Sequence, residues 1–143
     1  MIDYLPPKTT MSGKYYANLM TKLREEIKEK RRGKLSAGIL LLHDNAPVHK
    51  ADVVIDAIRE CKFKQLDHPP YSPDIAPRDY YLFRELKKVL RGKRFNCISE
   101  VISETESFFD KKEKTFFSDG LIFLKHRYEK CIELKGEYIE KIK

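Results

Sequence analysis

The stretch AGILLLH, residues 37–43, followed at once by Asp44, decides how this chain folds. Ile39, Leu40, Leu41 and Leu42 stand in a row, a run too short for an ordinary helix and with no polar residue alternating through it. Such a run suits a strand buried on both faces of a sheet. Asp44 then falls at the C-terminal end of that strand. After Pro47 the period changes. Residues 50–61 place Val54, Ala57, Ile58 and Cys61 on one face, which predicts a helix packed against the strand. Residues 62–68, with Phe63 and Leu66, read as a weaker strand that stops at Pro69 and Pro70, because proline cannot extend a ladder. Strand, helix and strand in that order predict an α/β fold.

The pattern on either side of this unit is helical. Ser12 opens a stretch in which Tyr16, Leu19, Leu23 and Ile27 recur at helical spacing, closed by Gly33. Beyond the proline-rich loop PPYSPDIAP, a helix opens near Asp79, with Tyr80, Leu82, Phe83, Leu86 and Leu90 apolar and Arg84, Lys87, Lys88 and Arg91 basic, and ends at Gly92. Ser99 is expected to cap a helix bearing Val101, Ile102, Phe108 and Phe109, and a last helix runs over residues 121–134, ending before Gly136. A short charged break at residues 111–114 separates these two. Neither an internal repeat nor a linker divides the chain, so residues 1–143 are expected to form a single domain: a core over 1–98 and C-terminal helices over 99–143.

Charge bears on the partner. The 143 residues carry 29 Lys and Arg against 22 Asp and Glu, a net charge of +7, which favours an anionic partner, nucleic acid first. Charge alone hardly separates that from a well-solvated surface. Cys61, Cys97 and Cys131 are odd in number and form no CxxC pair, so neither a disulfide framework nor a zinc knuckle is indicated. The start MIDYLPPKTT lacks the basic-then-apolar pattern of a secretion signal, and no long apolar run follows. An intracellular protein with no membrane span is expected.

Two carboxylates carry the chemistry. Asp44 ends a strand and Asp79 opens a helix after a loop that returns to the sheet, and in open parallel sheets sites form beyond the C-terminal strand ends. An acid placed there can ligate a hard cation such as magnesium. Capping explains both equally well, with Asp44 closing the turn HDNAP and Asp79 starting its helix. The surrounding residues shift that balance. HDNAPVH, residues 43–49, and HPPYSPDIAPRDYYLF, residues 68–83, closely resemble two signature segments of mariner-family transposases. Between Asp44 and Asp79 lie 34 residues, the separation of that family's second and third acids. YLPPKTTMSGKYY before the first helix, LRGKRF at 90–95 and RYEKCIELKGEYIEK at 127–141 extend the resemblance over nearly the whole chain.

The resemblance implies a ribonuclease H-like catalytic core in which three acids hold two Mg2+ or Mn2+ ions for DNA cleavage and strand transfer. Asp44 and Asp79 would be catalytic residues and metal ligands. The family's first acid lies on a strand preceding the YLP segment, so the resemblance implies a core lacking its first strands, with a helical C-terminal part and a deficit in catalysis on its own. Asp3 is not given the first acid's role. The family's helix-turn-helix DNA-binding region is likewise not matched, and Arg78 stands where members carry a small hydroxyl residue beside the third acid. A nuclear or otherwise intracellular site of action follows from the family. The strand ending at Asp44, unpaired on one side, is an expected template for a homodimer or other self-association.

Residues 87–94, with Lys87, Lys88, Arg91, Lys93 and Arg94, are a candidate nucleic-acid-binding stretch, against the plain reading of a solvated helix end; residues 28–34 suit the plain reading better. His43, Asp44, His49 and His68 form a weak zinc set, because His43 and Asp44 are adjacent and point to opposite faces of a strand. The pairs Tyr15/Tyr16, Phe108/Phe109 and Phe116/Phe117 read as core. The alternative function, of a different class, is a non-catalytic DNA-binding or assembly module that leaves the acids idle.

Overall fold

A computed structural model describes residues 1–139. The chain falls into two compact units, Met1–Pro70 and Tyr71–Lys143. In the first, α1 (Gly13–Lys30) starts where Ser12 Oγ accepts the backbone N–H of Tyr15 at 3.1 Å, satisfying one of the donors that a helix start leaves open. Helix α1 stops at Lys30, and the short α2 (Arg32–Ala37) follows, so Gly33 lies inside a helix and ends none. Gly38, at φ 91°, makes the turn from α2 into β1 (Ile39–Leu41), a conformation that side chains with a Cβ rarely adopt.

Strand β1 pairs in parallel with β2 (Phe63–Gln65), Ile39 opposite Phe63 and Leu41 opposite Gln65, and Leu66 N–H extends the ladder to Leu41 O at 2.8 Å. Parallel pairing needs a crossover, and α3 (Asp52–Glu60) supplies it after a 3-10 turn at Pro47–Lys50. The core of this unit joins Tyr16, Ala17 and Met20 of α1 to Val54, Ala57 and Ile58 of α3, with Cys61 and Phe63 beside them. Val54 is fully buried. Each large aliphatic side chain sealed in this way contributes about 1.5–3 kcal/mol. The expectation of a strand buried on both faces is corrected here. Ile39 and Leu41 are half-buried, and Leu40 between them is 61% exposed, because β2 is the one strand that β1 pairs with among the described residues.

The second unit begins with the proline-rich loop, which folds a 3-10 turn at Pro73–Ile75 and buries Ile75 almost completely. A π-helical turn, Arg78–Leu82, leads into α4 (Phe83–Leu90). Then come α5 (Ile98–Asp110) and α6 (Lys114–Glu133). Two boundaries differ from the sequence expectation. Cys97 takes the position before α5, leaving Ser99 in the first turn, where its Oγ meets Cys97 Sγ at 2.9 Å. Helix α6 begins at Lys114 and not near residue 121, because Phe116 is drawn into an aromatic cluster with Tyr81 and Phe108, ring centroids 4.9 and 6.2 Å away. Its C-terminus closes with Gly136 N–H on Cys131 O at 2.9 Å and Lys135 N–H on Ile132 O at 3.0 Å, the paired bonds of a Schellman motif. Of the sequence stretch 127–141, residues 140 and 141 lie outside the described residues.

Candidate metal centre and nucleic-acid interface

Asp44 follows β1 by three residues and belongs to the first unit, and its side chain is 51% exposed. Its Oδ1 accepts Ala46 N–H at 3.2 Å, the turn closure expected of an Asp in HDNAP. That bond does not exhaust the residue's role, because His49 Nδ1 also lies 2.9 Å from the same Oδ1. His49 is brought back to Asp44 by the 3-10 turn Pro47–Lys50, and Asn45 pins the loop with an amide N–H to His68 O at 2.5 Å. The carboxylate therefore stands exposed beyond the strand, on a loop held from both sides.

Asp79 belongs to the second unit, in the π-helical turn Arg78–Leu82, and is exposed, as is Arg78 beside it. Pro77 takes the position before that turn and no side chain caps it, so Asp79 does not serve as the helix cap that plain reading of the sequence offered. Its backbone N–H bonds Ala76 O at 2.9 Å. The sequence did not single out Asp74, which is the buried acid of the same loop. Its Oδ2 accepts Ile139 N–H at 3.0 Å and its backbone O accepts Arg127 Nη1 at 2.7 Å. Arg127 in turn stacks its guanidinium over the Tyr80 ring at 4.1 Å, and Tyr80 donates its hydroxyl to Gly120 O at 3.0 Å. Asp74 thus organises the loop, leaving Asp79 the acid that faces solvent.

Both candidate ligands offer carboxylate oxygens, the donors that Mg2+ and Mn2+ prefer. Among the described residues no three of His, Cys, Asp and Glu gather as a cation site. The donor set fits a hard divalent cation in kind and falls short of a complete site in number. Asp3 is engaged elsewhere: the Tyr15 hydroxyl donates to its Oδ2 at 2.5 Å and Lys22 Nζ lies 3.2 Å from its Oδ1. Those two contacts, the tyrosine hydrogen bond first, hold its carboxyl below the usual range against a smaller opposing effect of burial. Of the weak zinc set, His43 and His49 stack their rings in parallel, centroids 4.6 Å apart, with Tyr16 against them.

The five basic residues named from the sequence, Lys87, Lys88, Arg91, Lys93 and Arg94, are all exposed. Lys88 pairs with Glu85 at 2.7 Å, and Lys93 pairs with Glu104. Lys87, Arg91 and Arg94 make no ion pair among the described residues. Lys93, Arg94 and Phe95 line an open groove together with Ser99, Glu100, Ser103 and Glu104 from the first half of α5.

Residues 6–102 match the family model described as DDE superfamily endonuclease, which is more than half of the chain. The chain belongs to the DDE superfamily endonucleases. Within that superfamily it is similar to the Mariner Mos1 transposase of Drosophila mauritiana, 37% identical over 102 residues, covering 71% of this chain and 30% of that protein. It is also 30% identical over 139 residues to the histone-lysine N-methyltransferase SETMAR of Homo sapiens, covering 96% of this chain and 20% of that protein. The chain therefore spans less than a third of either relative. A solved structure of the Mos1 transposase catalytic domain with raltegravir and Mn superposes with a TM-score of 0.89 at 33% identity, covering 95% of this chain and 69% of that one. The Mos1 paired-end complex with left transposon end gives 0.87 at 33% identity, covering 95% and 40%. The mariner resemblance drawn from HDNAPVH and HPPYSPDIAPRDYYLF holds, and the DDE fold is the ribonuclease H-like one expected from it.

Proposed function

We propose that this chain is a mariner-type DNA-processing module in which Asp44 and Asp79 bind divalent cations at a phosphodiester. The observation that carries this reading is the state of the two acids. In a DDE endonuclease chain, both stand exposed in their signature motifs, and Asp79 does no capping work. Both units serve one partial catalytic domain, with the core over 1–98 and helices over 99–143. Bound cations would supply charge neutralisation at the phosphate and a more acidic water or 3′-hydroxyl. The chain's own part is to hold those cations through Asp44 and Asp79. Lys87, Lys88, Arg91, Lys93 and Arg94 seat the DNA backbone by charge. Such work belongs in the nucleus or otherwise inside the cell. No helix among the described residues is long and apolar enough to cross a membrane.

Catalysis by the chain alone is deficient in this reading. Two cations about 4 Å apart need a carboxylate shared between them, and two acids leave that arrangement incomplete. A second reading, a DNA-binding or assembly module with idle acids, is favoured by one observation: Lys87, Arg91 and Arg94 are exposed and make no ion pair among the described residues. Nicking of supercoiled plasmid separates the two. Wild-type chain is expected to nick slowly with Mg2+ or Mn2+, and Asp44→Ala and Asp79→Ala each to abolish it. Nicking that survives both substitutions would sink the catalytic reading. No nicking together with no metal binding by the wild type would leave the binding module.

A further inference from the structure

We propose that His49 is a positioning residue for Asp44, its ring N–H holding the carboxylate in the orientation that meets a divalent cation; this rests on the reading of Asp44 as a cation ligand. His49 Nδ1 lies 2.9 Å from Asp44 Oδ1 and 2.9 Å from Asp44 backbone O. Both atoms are acceptors, so Nδ1 is the ring nitrogen that carries the hydrogen. One N–H thus bridges the main chain and the side chain of a single residue, which fixes the rotamer of that side chain. Ala46 N–H adds a second hold on Oδ1 at 3.2 Å.

The ring that supplies this N–H cannot turn freely. The His49 side chain is only 10% exposed. It lies 3° from parallel with the His43 ring at 4.6 Å and packs against the Tyr16 ring at 4.2 Å. His43 is itself buried, and its Nδ1 meets the Tyr16 hydroxyl at 3.0 Å. Tyr16 belongs to the α1 face that forms the core of the first unit. Three rings therefore connect that core to an exposed carboxylate, and they remove rotamer freedom that Asp44 would otherwise lose on binding a cation. Hydrogen-bond partners of metal ligands matter in this way, and losing one typically weakens metal affinity about 10–100-fold.

The test is a Mn2+ titration of the whole chain, followed by the electron paramagnetic resonance of free Mn2+, with thermal melts of every variant. His49→Phe keeps a ring in the stack and removes the donor. His49→Asn puts an amide N–H where Nδ1 stood. The expected result is Mn2+ binding weakened about 10-fold or more in His49→Phe at an unchanged melting temperature, and largely restored in His49→Asn. Tight binding by His49→Phe alongside lost binding in Asp44→Ala would overturn the positioning role and leave Asp44 a ligand. Equal binding by Asp44→Ala and wild type, or no binding by wild type, would overturn the cation reading and this role with it. Nitrogen chemical shifts of the metal-free chain give an independent check: a neutral His49 protonated at Nε2 instead of Nδ1 contradicts the geometry outright.

Discussion

Gly120 lies in the middle of α6, where helix propensity alone says that alanine would be better by about 1 kcal/mol. Its surroundings reverse that sign. A Cβ at Gly120 would come within 2.6 Å of Tyr81 Cδ1 and 2.8 Å of Cε1. The Tyr81 ring is held by Phe116 at 4.9 Å and Phe123 at 5.9 Å, so it cannot swing aside cheaply. Overpacking of this kind costs about 1–3 kcal/mol, which exceeds the propensity gain. Gly120→Ala is therefore expected to lower the urea midpoint with an unchanged slope, and a raised midpoint would show that the ring yields. Legibility at this scale divides along the same line. Asp44 and Asp79 were readable because local wording surrounds them. The buried Asp74 and the clasp of Tyr16 on His43 were not, since each depends on contacts made 27 to 65 residues apart along the chain.

At the scale of elements, the run Ile39 to Leu42 identified a strand and said nothing about which faces would be covered. An apolar run reports that burial is affordable, while coverage depends on neighbours that the run does not encode. The described residues give β1 one partner, β2, and leave Leu40 61% exposed on a strand with an open edge. Open edges with exposed apolar side chains pair with other chains unless charge or a bulge blocks them. We therefore expect the chain to self-associate through β1, and Leu40→Lys to shift it toward monomer with little loss of stability, since an exposed side chain contributes little to the core. Sedimentation velocity across a concentration series checks this, and a wild type that stays monomeric throughout would dismiss edge pairing. Helix boundaries escape the sequence for a related reason: the start of α6 is set by Phe116 joining Tyr81 and Phe108, a choice made by packing rather than by the charged residues before it.

For the whole molecule, the sequence shows an excess of seven positive charges, and the chain gathers its contacts into two compact units, a distribution invisible to composition. What composition leaves open is whether the charge is aimed at a partner. Within the basic stretch 87–94, Lys87, Arg91 and Arg94 are exposed and without ion pairs among the described residues, and the question can be put to them directly. If they seat phosphates, each releases counterions from the duplex on binding, and the logarithm of affinity falls with the logarithm of salt by about 0.9 per contact. Reversing all three to Glu is then expected to flatten that slope by roughly 2–3. Asp44→Ala leaves the slope as it is, because an acid in a cation site contributes no phosphate contact. Fluorescence anisotropy of a labelled duplex over a range of NaCl concentrations reads both. A triple variant that binds more weakly at every salt concentration but keeps the wild-type slope would mean that these side chains act through general repulsion, and that the phosphates are met by another surface.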